Sequence, residues 1–141
     1  MTQLSQHFSL EELTHTDTGL PNQPDVEAMG NLGITAAHME GVRDLLGHPI
    51  VVHSAYRSPA VNQAVRGVST SAHCLGYAVD FVCPGYGSPE EVALFIAGSK
   101  LKFDQLILEY GWVHLSFDPR MRGQCLTKRD AVSAYQHGIV V

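Results

Sequence analysis

Two imidazoles and a carboxylate carry the first chemical signal in this chain. His73 and Asp80 stand in STSAHCLGYAVDF (69–81), and His114 stands in WVHLSF (112–117). Asp80 is the anomaly. It interrupts the apolar run Ala78-Val79-Asp80-Phe81-Val82, which lies between Gly76 and Pro84 and reads as a short buried strand. A buried carboxylate must be paired with a cation or bound to a metal. Side chains alternate faces along a strand, so Val79 and Phe81 can turn to the core and leave Asp80 on the other side. By the same alternation Val113, Leu115 and Phe117 face the core, and His114 shares the opposite face with Trp112 and Ser116. His73, in the loop before Gly76, can fold back over that face. Two imidazoles, one carboxylate and one open position are the usual ligand set of a catalytic zinc. A thiolate set would be structural, and an all-oxygen set would suit calcium or magnesium. The alternative is plainer: the histidine is simply hydrogen-bonded, and Asp80 caps a turn or meets an arginine.

The elements that must position these groups follow from local signals. Ser9 and Glu12 are spaced as a capping box and open a short helix. The stretch 14–33 is rich in Thr, Asn, Pro, Asp and Gly and reads mostly as loop. A helix is expected over about 35–46, with Val42, Leu45 and Leu46 in its apolar stripe and Gly47 at its end. Residues 50–53 read as a strand, and Ser58-Pro59 starts another helix that Gly67 closes. Residues 68–76 form a small-residue loop. Ser88-Pro89-Glu90-Glu91 repeats the helix-start signal, with Val92, Phe95 and Ile96 along one face. Strands near 105–109 and 112–117, separated by Tyr110 and Gly111, form an antiparallel hairpin. Residues 128–141 are expected to be a final helix or a loosely held tail. With helices early and strands late, the expected class is α+β: a small, largely antiparallel sheet with helices packed on one side.

Bulk composition narrows the function classes. A chain of 141 residues suits one domain, 1–141, with a real core. The formal charge of −5 and nine unclustered Lys and Arg residues argue against nucleic acid as a partner. No apolar run is long enough to cross a bilayer. The start, MTQLSQHFSLEEL, has neither a basic region nor an apolar one, so no signal peptide is expected. Cys74, Cys83 and Cys125 make an odd set without repeated spacing, which suits synthesis in a reducing cytoplasm.

Four pieces together, SAYRSPAVNQAV (54–65), STSAHCLGYAVDF (69–81), FDQLILEYGWVHLSFD (103–118) and RMRGQCLT (120–127), resemble the zinc D-alanyl-D-alanine carboxypeptidase superfamily. That group includes the vancomycin-resistance dipeptidases, phage L-alanyl-D-glutamate endolysins and the hedgehog signalling domain. The nearest form is the short single-domain version of bacteria and their phages, and the likeness runs from FSLEELT at Phe8 to about Thr127. The order of motifs carries it: an S-x-Y-R-S turn, then S-x-H-x-x-G-x-A-x-D, then W-x-H in a late strand. The resemblance implies zinc held by His73, Asp80 and His114, and substrate contacts from Arg57 and Ser71. Arg57 offers a fixed fork of donors for a peptide carboxylate or carbonyl; its alternative is a structural ion pair with a loop carboxylate. Trp112 walls the site and helps orient the substrate, or simply packs.

The general base departs from the family pattern. Relatives usually carry an acid three positions before the last ligand histidine, where this chain has Gly111. Glu109 is the nearest acid and shares a strand face with Gln105 and Ile107, so it can point at the metal across the hairpin, in an I-x-E-then-W-x-H pattern. Asp104 is the reserve candidate, and Asp118 lies on the far side of His114. Cys74 reads as a small packed hydrophobe, and His53 as a structural histidine that could line the cleft. His7, His15, His38, His48 and His137 share no pattern with a partner.

The expected activity is zinc-dependent hydrolysis of amide bonds in peptidoglycan stem peptides, as a D-Ala-D-Ala carboxypeptidase or an L-Ala-D-Glu endopeptidase. The rival is a zinc-stabilised binding or phage structural module without turnover. Lacking a signal peptide, the protein would need a holin, a virion or lysis to reach the wall.

Overall fold

Six strands join in one sheet in the computed structural model, which describes residues 2–141. They are β1 (Val51–Ser54), β2 (Ala78–Val82), β3 (Gln105–Leu108), β4 (Val113–Ser116), β5 (Gln124–Thr127) and β6 (Gln136–His137), in the spatial order β1-β2-β4-β3-β5-β6. Four of the five pairings are antiparallel; β3 and β5 run parallel. The α+β class holds, and the sheet is mixed. The parallel pair arises because β5 is launched beside the start of β3, where Gly123 and Gln124 donate backbone N–H bonds to the carbonyls of Phe103 and Asp104.

Alternation along the strands separates two faces, as period-two side chains require. Val79, Phe81, Leu106, Leu108, Val113 and Leu115 point to a core shared with the helices α2 (Val26–Leu46) and α4 (Pro89–Ala97). From α2 come Ala28, Leu32, Ala36, Met39, Val42 and Leu46; from α4 come Val92, Ala93 and Ile96. Each large apolar side chain removed from water here contributes roughly 1.5–3 kcal/mol. The other face carries Asp80, His114, Ile107 and Gln105. Ser88 and Glu91 close the expected capping box at α4. At the short α1 (Leu10–Leu13), Ser9 Oγ accepts from the Glu12 N–H. Ser58 caps α3 (Pro59–Ala64).

Two expectations need correction. The loop read over 14–33 is helical from Val26 onward, so α2 begins nine residues before the expected start at 35. Gly30 and Gly33 suggest a break, since a helical glycine costs about 1 kcal/mol relative to Ala. The buried positions Ala28 and Leu32 continue the stripe of Ala36 and Met39, and Asp25 caps the end by accepting from Ala28 N–H at 2.8 Å, so packing outweighs propensity. The second correction is the segment 128–141. It forms no helix: β6 pairs antiparallel with β5, and Thr127 Oγ1 donates to Gly138 O at 2.7 Å. No helix among the described residues is long and apolar enough to cross a membrane.

Candidate metal centre

Register brings the first two groups together. In the β2–β4 ladder Asp80 lies directly opposite His114, and in the β1–β2 ladder Ser54 lies opposite Asp80. His73 arrives on a 3₁₀ turn (Ala72–Leu75) in the segment read as loop. That turn is docked on α2: Asn31 Nδ2 donates to Leu75 O at 2.9 Å and Thr35 Oγ1 to Gly76 O at 2.7 Å. Gly76 is required there. Its φ is +82°, and a Cβ would stand 2.7 Å from Ala28 O, so any larger residue would push the turn off the helix. Ser71 caps the turn, its Oγ accepting from His73 N–H at 3.2 Å.

The three side chains converge. His73 Nε2 lies 3.1 Å and His114 Nδ1 2.9 Å from the same oxygen, Asp80 Oδ1, and one ligand atom from each of the three residues lies within 4.8 Å of the others. The imidazole rings stand nearly perpendicular, 72° apart. All three residues are buried.

The protonation of His73 tests whether a metal fits. Its Nδ1 lies 2.6 Å from Ala55 O and its Nε2 3.1 Å from Asp80 Oδ1, two acceptors. Burial holds the His73 pKa below the ordinary value, ahead of the opposing pull of Asp80, so the ring is neutral and owns one proton. Whichever nitrogen carries it, the other turns a lone pair toward an oxygen. With the proton directed to Ala55 O, a cation held by Nε2 and Asp80 would turn this conflict into coordination, and the carbonyl would fix the tautomer. Burial opposes the charge of Asp80, and ring protons that His73 and His114 turn toward it outweigh burial and hold its pKa far below the carboxylate range; with the His73 proton directed to Ala55 O, a cation at that place would act in the same sense. The other oxygen of Asp80 accepts from Arg57 Nη2 at 3.2 Å. Asp80 thus meets an arginine and also faces two potential metal ligands.

A cleft of about 860 Å³ opens over this group, and Arg57, Ser71, Glu109 and Trp112 all line it. Arg57 is held by Ser54 Oγ at 3.2 Å and Asn62 Oδ1 at 3.2 Å besides Asp80. Its ion pair is with a strand carboxylate of the cluster, not a loop one. Glu109 closes the β3–β4 turn through its backbone N–H to Trp112 O, at 3.0 Å. Burial, and then the charge of Asp80, raise its carboxyl above the ordinary value. The indole N–H of Trp112 is buried without a hydrogen-bond partner. It lies close enough to favour charge on Glu109 while falling short of hydrogen-bond geometry.

Other candidates are placed elsewhere or already occupied. Asp104 lines the cleft but is gripped by Arg122, at 2.8 and 2.9 Å, and Asp118 is paired with Arg120. His53 is exposed on β1 and does not line the cleft. Cys74, Cys83 and Cys125 are free thiols. His7 has a partner that local spacing could not reveal, Glu40, at 2.6 Å. Sequence reading missed Asn62, whose buried side chain ties Arg57 to Val68 O, and Lys128 and Tyr135, which line the cleft from the segment between β5 and β6. Asn62 and Ser54 sit inside the S-x-Y-R-S region, so proximity to Arg57 was the available clue. The tail carried none.

An α+β sheet presenting a buried His-Asp-His group at the floor of a cleft defines a site that could hold a metal ion. The chain belongs to the Peptidase M15 family, whose sequence profile matches residues 6–116. Peptidases of this family depend on a metal, and the group His73, Asp80 and His114 is compatible with that need. A search among curated proteins finds no match.

Proposed function

We propose that the protein is a zinc-dependent peptidase that hydrolyses amide bonds of peptidoglycan stem peptides, as a D-Ala-D-Ala carboxypeptidase or an L-Ala-D-Glu endopeptidase. The observation that carries this reading is the neutral, buried His73 facing Asp80 with His114 on the same oxygen, in a chain of the Peptidase M15 family. Two imidazole nitrogens and a carboxylate suit zinc. Bound there, zinc would supply Lewis acidity, polarising the scissile carbonyl and making water more acidic.

The chain's own groups divide the remaining work. Glu109 takes a proton from the attacking water and passes it to the leaving amine; its raised proton affinity suits a base that must hold the proton between those events. Arg57 uses three of its five donors on Ser54, Asn62 and Asp80, which leaves two for a peptide carbonyl or carboxylate. Ser71 keeps its hydroxyl proton available while its oxygen caps the His73 turn. Trp112 forms a wall of the cleft beside Glu109.

The test is metal analysis of the purified protein together with mass spectrometry of digested muropeptides, before and after chelation. One zinc per chain and products that vanish on chelation and return with zinc would support the proposal. Hydrolysis that survives metal removal would overturn it. Gly111, at the position where relatives usually hold the acid, favours a second reading, a zinc-stabilised module without turnover. An intact, zinc-loaded protein that leaves muropeptides uncut would select that reading.

A further inference from the structure

The cleft is more cationic than the protein around it. The chain carries a formal charge of −5. Yet the cleft is lined by five cationic side chains, Arg57, Arg66, Arg120, Arg122 and Lys128, against four carboxylates, Asp80, Asp104, Glu109 and Asp118. Three pairs satisfy one another: Arg57 with Asp80 at 3.2 Å, Arg120 with Asp118 at 3.1 Å and Arg122 with Asp104 at 2.8 Å. Arg66 is exposed.

Lys128 is held differently. Its backbone N–H donates to Leu108 O at 2.8 Å, which seats it beside the start of the Glu109 turn. Its ammonium donates to Ser133 O at 2.7 Å and lies 4.6 Å from the centre of the Tyr135 ring. No carboxylate of the described residues forms an ion pair with it, although Glu109 and Asp130 lie near enough to feel its charge. A lysine on a flexible stem normally follows solvent. Here the ammonium of a half-buried lysine is fixed at the wall of a cleft by one carbonyl and one ring, with donors to spare. A fixed ammonium with spare donors facing a cleft is suited to take an anion.

We infer that Lys128 is a specificity-determining residue that takes a carboxylate of the substrate, so that the cleft selects acidic peptides. Tyr135 and Ser133 are its positioning residues, and all three lie beyond residue 116, where the match to the family ends. The acidic-peptide selectivity rests on the peptidase reading for its physiological substrate; the anion subsite itself does not.

The test measures binding by calorimetry to the zinc-loaded full chain, with hydrolysis followed in parallel. The probes are the pentapeptide L-Ala-γ-D-Glu-L-Lys-D-Ala-D-Ala, its C-terminal amide, and its form amidated at the glutamyl α-carboxylate. A charged hydrogen bond is worth enough that one of the two amidations should weaken binding to the wild type about tenfold or more. Which one does so identifies the carboxylate. Lys128→Met should bind the free acid and that amide alike, and Lys128→Arg should restore part of the difference. A wild type that binds all three probes equally overturns the inference without any variant. So does a Lys128→Met protein that keeps the full discrimination. Discrimination without hydrolysis of any probe would retain the anion subsite and remove the peptidase reading.

Discussion

Asp80, in the middle of β2, and Asp104, just ahead of β3, are both buried aspartates lining one cleft, and their partners differ in kind. Asp104 is answered by a single residue. Arg122 gives it Nε at 2.8 Å, Nη2 at 2.9 Å and its own backbone N–H at 3.0 Å, and these bonds, ahead of the opposing effect of burial, hold its pKa down. This is a bidentate pair at the mouth of the cleft, complete without any further ion. Asp80 has one arginine contact on one oxygen and two imidazole nitrogens on the other. One of those imidazoles is neutral, with its only proton claimed by two acceptors. The comparison teaches that burial of a carboxylate does not identify a metal ligand. What sets Asp80 apart is a neutral partner whose one proton two acceptors claim, an arrangement compatible with a metal ion.

Removing each carboxylate in turn should separate the two aspartates most widely. Asp80→Ala should weaken zinc binding by more than about a hundredfold, beyond the loss typical of an outer partner, and abolish hydrolysis. Asp104→Ala should keep one zinc per chain and lower the thermal midpoint by about 5 °C. Metal content and unfolding curves of the two proteins decide the matter; equal zinc retention would place the ligands elsewhere.

Glu109→Gln comes next in size. It should retain zinc and lose roughly a hundredfold or more in kcat, the usual contribution of a general base. Zinc binding to the native chain gives a third measure, because a ligand present at a hundred times its Kd stabilises by about 2.7 kcal/mol. The thermal midpoint should therefore rise with zinc in the wild type and in Asp104→Ala, and stay flat in Asp80→Ala.

Proton binding sharpens the contrast further in metal-free protein. His73 has a lowered pKa, so below about pH 6.5 the unfolded chain binds a proton that the fold refuses, and stability falls as pH drops. Asp80 and Asp104 also have lowered values, so their contributions are intact above about pH 4 and are lost only below it. Glu109, with its raised value, acts in the opposite sense, and the measurement is best made in Glu109→Gln. The midpoint there should decline in two stages, and Asp104→Asn should reduce the second alone. A flat midpoint between pH 7 and 5 would contradict the neutral His73. The smallest effect is expected from Ser71→Ala, which removes the cap on the His73 turn and should cost about 0.5–1 kcal/mol.

Much of the site was legible because strand alternation is a strict rule. Asp80 among Val79 and Phe81, and His114 among Val113 and Leu115, could be sent to the same face before any fold was known. The start of α2 was not legible. Gly30 and Gly33 argue locally for a loop, and only the burial of Ala28 and Leu32 against the sheet overrules them. Strands β5 and β6 are short and lie toward one edge of the sheet, so neither shows enough periodicity to announce itself. Lys128 and Tyr135 consequently had no visible place in the cleft.

Taken alone, the sequence determined the α+β class, the two faces of the central strands and the candidate ligand set, because these depend on residue type and on periods of two or three to four. Tertiary structure decided what each group meets: Arg57 on Asp80, Arg122 on Asp104, Ala55 O on His73 and Lys128 on Tyr135. The first three of these pairings join residues from 18 positions apart, as for His73 and Ala55, to 23, as for Arg57 and Asp80, while Lys128 and Tyr135 are joined across the turn between β5 and β6. Contacts at that range are set by how the sheet and helices pack, and no local pattern encodes them.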